Sequence, residues 1–266
     1  MPLPADYHTH TPLCCHARGE PTDLAAQAIA VGLTEMGFSD HNPMAKDDFD
    51  DWRMKLGELD LYVEKVQEAR RQFPNLAIKL AMEVDFIPGY EDWVRELAAR
   101  HPWDYFIGSV HYVGTWAIDN PKHISEWKKR DTYEVWEAYF ECLTLAAESK
   151  LFDIIGHADL CKRFCFYPQQ DWTGLAKRFL EAAKRNDVAM EINTAGLRKD
   201  CKEMYPHPWI VQEAARLGVA LTFGSDAHAP EDVARNWGEA LALARGAGYT
   251  HWRRFTRQRR HEAVAI

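Results

Sequence analysis

Two hydrophobic periods take turns along this chain. Short apolar runs at 35–39, 77–86, 105–112, 152–155, 188–193 and 219–223 have the length and residue types of buried strands. A further short strand is expected at Tyr7–Thr11, ended by Pro12. Between these runs the apolar residues fall at helical spacing. Leu59, Val63, Val66 and Ala69 predict a helix over 59–73, broken by Pro74 and Asn75. Helices are also predicted over 22–31, with Thr22 as N-cap and Gly32 as stop, and over 90–100, 132–149 and 172–185. Two more follow, over 208–217, with Pro208 in the first turn and Gly218 as stop, and over 230–244. The stretch 113–130 is rich in Trp and polar residues and keeps neither period. Long loops of this kind are often binding loops or lids. The basic residues after Gly248 are expected to be only partly ordered.

Seven strands alternating with helices argue for parallel strands covered by helices, either an open doubly wound sheet or a closed α/β barrel. The polar residues decide between them. Each strand is followed at its C-terminal end by His, Asp, Glu or Arg. An open sheet gathers its ligand residues near one switch point, whereas a barrel can draw them from every strand to one mouth. The expectation is a TIM-like (β/α)7 barrel. With no internal repeat and no long linker, residues 1–266 read as one domain.

Composition narrows the class. Hydrophobic residues make up 47% of the 266 positions, enough for a large core. No run reaches the roughly 20 apolar residues of a membrane helix, and Met1–Asp6 has no basic or long apolar segment of a signal peptide. A cytoplasmic chain without membrane contact is expected. The formal net charge of −8 speaks against nucleic acid held on a broad basic surface. It still allows a phosphorylated small molecule, because bound cations reverse the sign locally. The six cysteines form no Cys-x-x-Cys pair and read as free thiols of a reducing compartment. Cys14 and Cys15, beside His16, are expected to pack the loop rather than bind metal. Oligomeric state is not legible.

The chemistry starts at Asp6–His16, which reads Asp-Tyr-His-Thr-His-Thr-Pro-Leu-Cys-Cys-His. On a strand, His8 and His10 project to the same side, and the loop after Pro12 carries His16 back. Seven of the twelve histidines fall at predicted strand ends; His101, His123, His207, His251 and His261 do not. The candidate set is His8, His10, His16, His41, Glu83, His111, His157, Asp226 and His228. A lone histidine of this kind is commonly a core residue, but nine candidate ligands at one barrel face are not explained one by one. Nine exceed the needs of a single ion. They suit two or three divalent ions, and imidazole with carboxylate points to zinc, iron or manganese. Ions about 3.5–4 Å apart clamp a phosphoryl group and lower the pKa of bound water to about 7. Arg163 and Lys162 after the fifth strand and Arg198 after the sixth are candidates to grip phosphate.

These residues fall in motifs. His-x-His at 8–10 is followed by His16, Ser-Asp-His at 39–41, Met-Glu-Val-Asp at 82–85 and Gly-Ser-Val-His at 108–111. Gly-His-Ala-Asp at 156–159 and Ser-Asp-Ala-His at 225–228 complete the series. In this order, from Tyr7 to about Val233, the chain resembles the polymerase-and-histidinol-phosphatase (PHP) superfamily. The runs 84–89, 156–164 and 191–199 make it most similar to the stand-alone histidinol-phosphate phosphatases of histidine biosynthesis within it. The resemblance implies a distorted seven-stranded barrel and a trinuclear site. One ion would be held by His8, His10, Glu83 and Asp226, a second by Glu83, His111 and His157, and a third by His16, His41 and His228.

The implied reaction is hydrolysis of L-histidinol phosphate, with Arg163, Arg198 and, more weakly, Lys162 on the phosphate. The leaving group's proton could come from water on a metal, Asp159 or His207. Rival readings are a phosphoesterase of the same superfamily acting on nucleotides or other small monoesters, and a non-catalytic metal-binding module. Metal-dependent amide hydrolysis lacks the expected barrel-lining lysine.

Overall fold

The computed structural model describes residues 3–256 and 259–266. Where the chain switches from period 3.6 to short apolar runs, six strands form: β1 (Glu35–Phe38), β2 (Ala77–Asp85), β3 (Tyr105–Ser109), then β6 (Ile154–Ile155), β7 (Ala189–Asn193) and β8 (Leu221–Gly224). They form one parallel sheet in the order β1-β2-β3-β6-β7-β8. β1, β3, β6, β7 and β8 are buried along their whole length, as expected for a sheet covered on both faces. Between β3 and β6 a small antiparallel hairpin, β4 (Tyr112–Val113) and β5 (Trp116–Ala117), stands apart from the sheet.

The expected strand at 7–11 is not a regular one. The stretch makes isolated parallel bridges, Asp6 to Met36 on one side and Thr9 to Ala227 on the other. Its backbone bonds both ends of the sheet. Gly37 and Ser39 donate N–H groups to Asp6 and Thr9 carbonyls at 2.8 and 2.9 Å, and Tyr7 donates to Phe223 at 3.1 Å. Pairing stops at Pro12, whose 3-10 turn ends at Cys15 in the left-handed region.

Helices α1 (Pro21–Ala30), α2 (Leu59–Gln72), α3 (Glu91–Arg100), α5 (Thr132–Glu148), α6 (Thr173–Arg185) and α7 (Pro208–Leu217) follow the predicted spans closely. The cap of α1 differs: Glu20, not Thr22, precedes the helix, and its N–H bonds Asp23 Oδ2 at 2.8 Å. Pro21 then sits in the first turn, where a missing N–H costs nothing. Among the described residues no helix is long and apolar enough to cross a membrane.

Three expectations need correction. The loop 113–130 is structured: after the hairpin come a 3-10 turn at Pro121–His123 and a short α4 (Ile124–Trp127). The last helix, α8, is Trp237–Gly246 and does not start at 230. Pro230–Asp232 is a 3-10 turn, and the left-handed Ala234 and Asn236 break the chain before α8. The basic tail is a hairpin of β9 (His251–Phe255) and β10 (His261–Ala265); residues 257 and 258 lie outside the described residues. Trp252 and Phe255 pack their rings on Tyr7, and the Tyr7 hydroxyl accepts the Phe255 N–H at 3.0 Å. Arg254 reaches Glu35 and Arg259 reaches Asp153, at 2.7 and 2.8 Å. The tail is therefore tied to the N-terminal ends of the strands, away from the site described next.

Candidate metal centre

The C-terminal ends of the parallel strands gather the predicted ligands. His41 follows β1, Glu83 lies near the end of β2, His111 follows β3, His157 follows β6, and Asp226 and His228 follow β8. His8 and His10 come from the irregular first stretch, and both are fully buried. His16 comes from the turn after Pro12.

Glu83 is the hub. Its Oε2 lies 2.9 Å from His41 Nδ1, 3.2 Å from His8 Nε2 and 3.6 Å from His10 Nε2. Its Oε1 lies 2.8 Å from His157 Nε2 and 3.6 Å from His111 Nε2, and accepts the Ser109 hydroxyl at 2.6 Å. Asp226 Oδ1 stands 3.2 Å from His10 Nε2 and 3.3 Å from His228 Nδ1. His228 Nε2 faces His16 Nε2 at 2.9 Å. All nine predicted ligands thus share one cluster.

The far sides of the rings are held by acceptors. His8 Nδ1 bonds Glu191 at 2.8 Å, His10 Nδ1 bonds Asp40 at 3.3 Å, and His111 Nδ1 bonds Asp85 at 2.7 Å. His16 Nδ1 bonds the Cys14 carbonyl at 2.7 Å. Carboxylates or carbonyls behind metal-binding imidazoles fix the tautomer and aim the other nitrogen. Sequence reasoning did not assign Asp40, Asp85 and Glu191 this role. Their signal was present, since Asp40 and Asp85 lie inside the motifs at 39–41 and 82–85 and Glu191 opens the run 191–199, but only the fold shows which ring each one backs.

A metal fits this donor set. His8 Nε2, His10 Nε2 and Glu83 Oε2 are buried and carry no hydrogen bond among the described residues, although buried polar atoms are nearly always bonded. Ligand atoms of His8, His10 and Asp226, of His8, Glu83 and His157, and of His10, His41 and His228 lie within 4.8 Å of one another. The electrostatics agree. Burial would raise Glu83, but His8, His41 and His111 hold it well below the usual carboxylate range. Burial pushes His41 down to about 3 and lowers His228 and His16. Burial also opposes protonation of His10, but Asp226 and Asp40 lift it to about 9. Burial likewise opposes protonation of His8 and His111, but Glu191 and Glu83 raise His8, and Asp85 and Glu83 lift His111 to about 10. The ionised acids and neutral His16, His41 and His228 are ready for a cation, whereas His8, His10 and His111 would release a proton to one. Two ligands sit on strained backbone, His157 at φ 22° and Asp226 at φ 53°, a conformation that clusters at functional sites. Cys14 is buried with its Sγ within 4.8 Å of ligand atoms of His16 and His228 and of His10 and Asp40, and burial pushes its thiol up. All six cysteines are free.

The cluster floors a cavity of about 380 Å³, within the usual range for small-molecule sites. Arg163 and Arg198 line it, as predicted, together with Trp52, Asp119 and Lys199. Arg163 Nη1 pairs with Asp119 at 3.2 Å. Arg198 donates to the Ser225 carbonyl at 2.7 Å, while its Nη1 has no hydrogen-bond partner among the described residues. Lys199 has no acid within 4 Å among the described residues. Burial lowers its pKa, with Arg163 and Arg198 adding to the fall against Asp226.

Three predicted residues lie elsewhere. Lys162 is fully buried and bonds Asp159 at 3.0 Å, Glu203 at 2.6 Å and the Met204 carbonyl at 2.7 Å. It does not line the cavity, so Lys199 is the lysine of this rim. Asp159 is buried beneath it and accepts the His207 N–H at 2.7 Å. His207 Nδ1 caps α7 by accepting the Trp209 N–H. Neither lines the cavity, so neither is placed as a general acid. Position after a strand was the signal used for Lys162 and Asp159, and it does not report which way a 3-10 turn such as Leu160–Lys162 faces.

Comparison with known proteins agrees with this geometry. Residues 6–195 match the family model of the PHP domain. A Deinococcus radiodurans protein named "Probable histidinol-phosphatase" is 39% identical over 91% of this chain and 93% of its own length. The histidinol-phosphatase of Bacillus subtilis is 28% identical over 86% of this chain and 94% of its own length. A Lactococcus lactis histidinol phosphate phosphatase, solved with zinc, L-histidinol and phosphate, shares the fold. Its TM-score is 0.83 at 20% identity, over 97% of this chain and 98% of that one.

Proposed function

This chain belongs to the PHP domain family, and on that premise we propose that it is a metal-dependent phosphatase. It hydrolyses L-histidinol phosphate to L-histidinol and inorganic phosphate in histidine biosynthesis. The observation that carries the reading is the set of buried Nε2 and Oε2 atoms of His8, His10 and Glu83, unbonded among the described residues, in one cluster with the Glu83, His111, His157, Asp226 and His228 side chains that line a cavity together with Arg163 and Arg198. The named relatives support the same substrate.

Two or three divalent ions, of zinc, iron or manganese, fit the donors. His8, His10, Glu83 and Asp226 would hold one, Glu83, His111 and His157 a second, and His16, His41 and His228 a third. When bound, such ions polarise the phosphoryl oxygens and make water a nucleophile near neutral pH. The chain's own residues do the rest. Glu191, Asp40 and Asp85 orient His8, His10 and His111. Arg163, Arg198 and Lys199 draw the phosphate to the floor of the cavity and neutralise its oxygens, where positioning and charge stabilisation carry most of phosphoryl transfer. Residues 1–266 act as one unit in the cytoplasm, with the stretch 6–10 serving as the seventh stave between β8 and β1.

The test is phosphate release from L-histidinol phosphate by protein reloaded separately with zinc, iron or manganese, with a nucleoside monophosphate as control. Turnover with a clear preference for histidinol phosphate is expected. A preference for the nucleotide, or no release with any of the three metals, overturns the reading.

A further inference from the structure

Five acids line the cavity, and two of them, Glu83 and Asp226, belong to the metal centre. The other three differ in what they already hold. Asp51 is exposed at the lip and pairs with Lys122 at 3.2 Å. Asp232 is shared by Arg198 and Arg235, at 3.5 and 2.8 Å. Asp119 is four-fifths buried and has a single ion pair, Oδ2 to Arg163 Nη1 at 3.2 Å. Its Oδ1 has no hydrogen bond among the described residues. It stands on the wall built by the segment after β5, which also brings Asn120, Pro121 and Lys122 to the cavity.

Arg163 is one of the two arginines assigned to the phosphate. A guanidinium donates from two edges, so a phosphate on Arg163 lies one guanidinium width from the Asp119 carboxylate. A dianionic ester there draws on the same positive charge that now compensates Asp119. The partly buried carboxylate is then left short of a counter-charge, which a second cation close to the phosphate restores. In an O-phosphorylated 2-amino alcohol the ammonium and the ester oxygen sit on adjacent carbons, so one molecule carries the anion and the cation at about this separation.

We propose that Asp119 is a specificity residue that accepts the ammonium group of an O-phosphorylated 2-amino alcohol while Arg163 holds its phosphate. The site is thereby tuned to amine-bearing phosphate monoesters and disfavours those without the amine. This rests on the phosphatase reading above and names the part of the substrate that one residue reads.

The metal-loaded protein is tested on two esters that differ only in the amine, O-phosphoethanolamine and ethyl phosphate, and on L-histidinol phosphate. Wild type is expected to favour the amine-bearing esters. In Asp119→Asn, kcat/KM for these should fall roughly 10–100-fold, mainly through KM, as for loss of a hydrogen-bonded charge pair. Ethyl phosphate should not fall and should rise, because the variant removes the carboxylate that competes for Arg163, and Asp119→Glu should recover part of the loss on the amine-bearing esters. An equal fall on both esters makes Asp119 a support for Arg163 only and overturns the proposal, as does no change on either. Titration calorimetry with L-histidinol gives a readout without turnover. Asp119→Asn should bind it about tenfold more weakly and bind inorganic phosphate as before. If wild type releases phosphate from no ester, the phosphatase reading falls, and the histidinol titration still decides Asp119: equal binding by wild type and variant, or none by wild type, overturns it.

Discussion

Glu191→Gln separates a metal centre built by its surroundings from one built by its ligands alone. Glu191 does not line the cavity, is 1% exposed, and accepts three N–H groups. They are His8 Nδ1 at 2.8 Å, the His157 backbone at 2.9 Å and Asn193 Nδ2 at 3.0 Å. Glutamine has the same shape but one acceptor oxygen. If that oxygen faces His8, the new NH2 points at the His157 and Asn193 donors, and at least one buried donor loses its partner, a cost of about 1–3 kcal/mol. If the amide flips, its NH2 meets His8 Nδ1, which must then accept. The His8 proton moves to Nε2, the nitrogen that faces Glu83 and Asp226, and that lone pair is lost to a cation. Either outcome weakens metal binding, and loss of such an outer partner typically costs about 10–100-fold, or about 1.4–2.7 kcal/mol. The assay is zinc competition against a chromophoric chelator, with urea melts of the stripped protein beside it. Zinc affinity within about twofold of wild type, together with unchanged stability, would refute the argument that these carboxylates set the tautomers.

Three further outcomes follow from the same contacts. Lys162→Met leaves Asp159 buried without its cation and should cost about 3–5 kcal/mol in urea melts, while KM for the substrate stays near wild type; a large KM change at unaltered stability would return Lys162 to the phosphate. A Cβ on Gly224 would collide with the Glu191 carboxylate and lie 2.6 Å from His8 Cβ, so Gly224→Ala should lose about 1–3 kcal/mol and bind less metal on elemental analysis; full metal content rules this out. Burial would raise Asp85, but Arg53 and His111 hold it well below the usual range. A carboxyl depressed in the fold adds stability that is complete above its unfolded value, about 3.9, and is lost as pH falls. Chelator-treated protein should therefore weaken below about pH 4, and Asp85→Asn should flatten that limb in urea melts; an identical slope contradicts the pairing.

Local signals served well where local physics decides. Pro208 and Gly218 bracket α7 because a first-turn proline needs no N–H partner and Gly218 adopts φ 71° without strain. They served poorly where distant partners decide. Trp252 and Phe255 are the buried residues of β9, spaced by three, so neither period exposes that strand. It is secured by Tyr7 and Glu35 from more than two hundred positions away. The stretch 6–10 reads as a strand and behaves as one in aiming His8 and His10 together, yet only isolated bridges hold it. In the site the nine ligands were legible because donor chemistry repeats at strand ends. Lys162 and Asp159 satisfied the same positional rule and turned inward, because an acid and a lysine three residues apart on one 3-10 turn pair with each other.

The net charge of −8 and the proposed anionic substrate are reconciled by where the acids lie. Glu83, Asp40, Asp85 and Glu191 are all buried at or behind the cluster, and Asp226 faces it. An acid buried without a counter-charge is costly, and in this chain the compensation is divided. Asp85 has Arg53 at 2.7 Å; Glu83 and Asp226 have mainly imidazoles, several of which burial keeps from taking a proton. Dications supply what the rings cannot. With them in place the cavity floor becomes positive, and Arg163, Arg198 and Lys199 extend that field to the rim. The acidic excess is thus part of the machinery for holding cations, and the phosphate meets the cations rather than the acids beneath them.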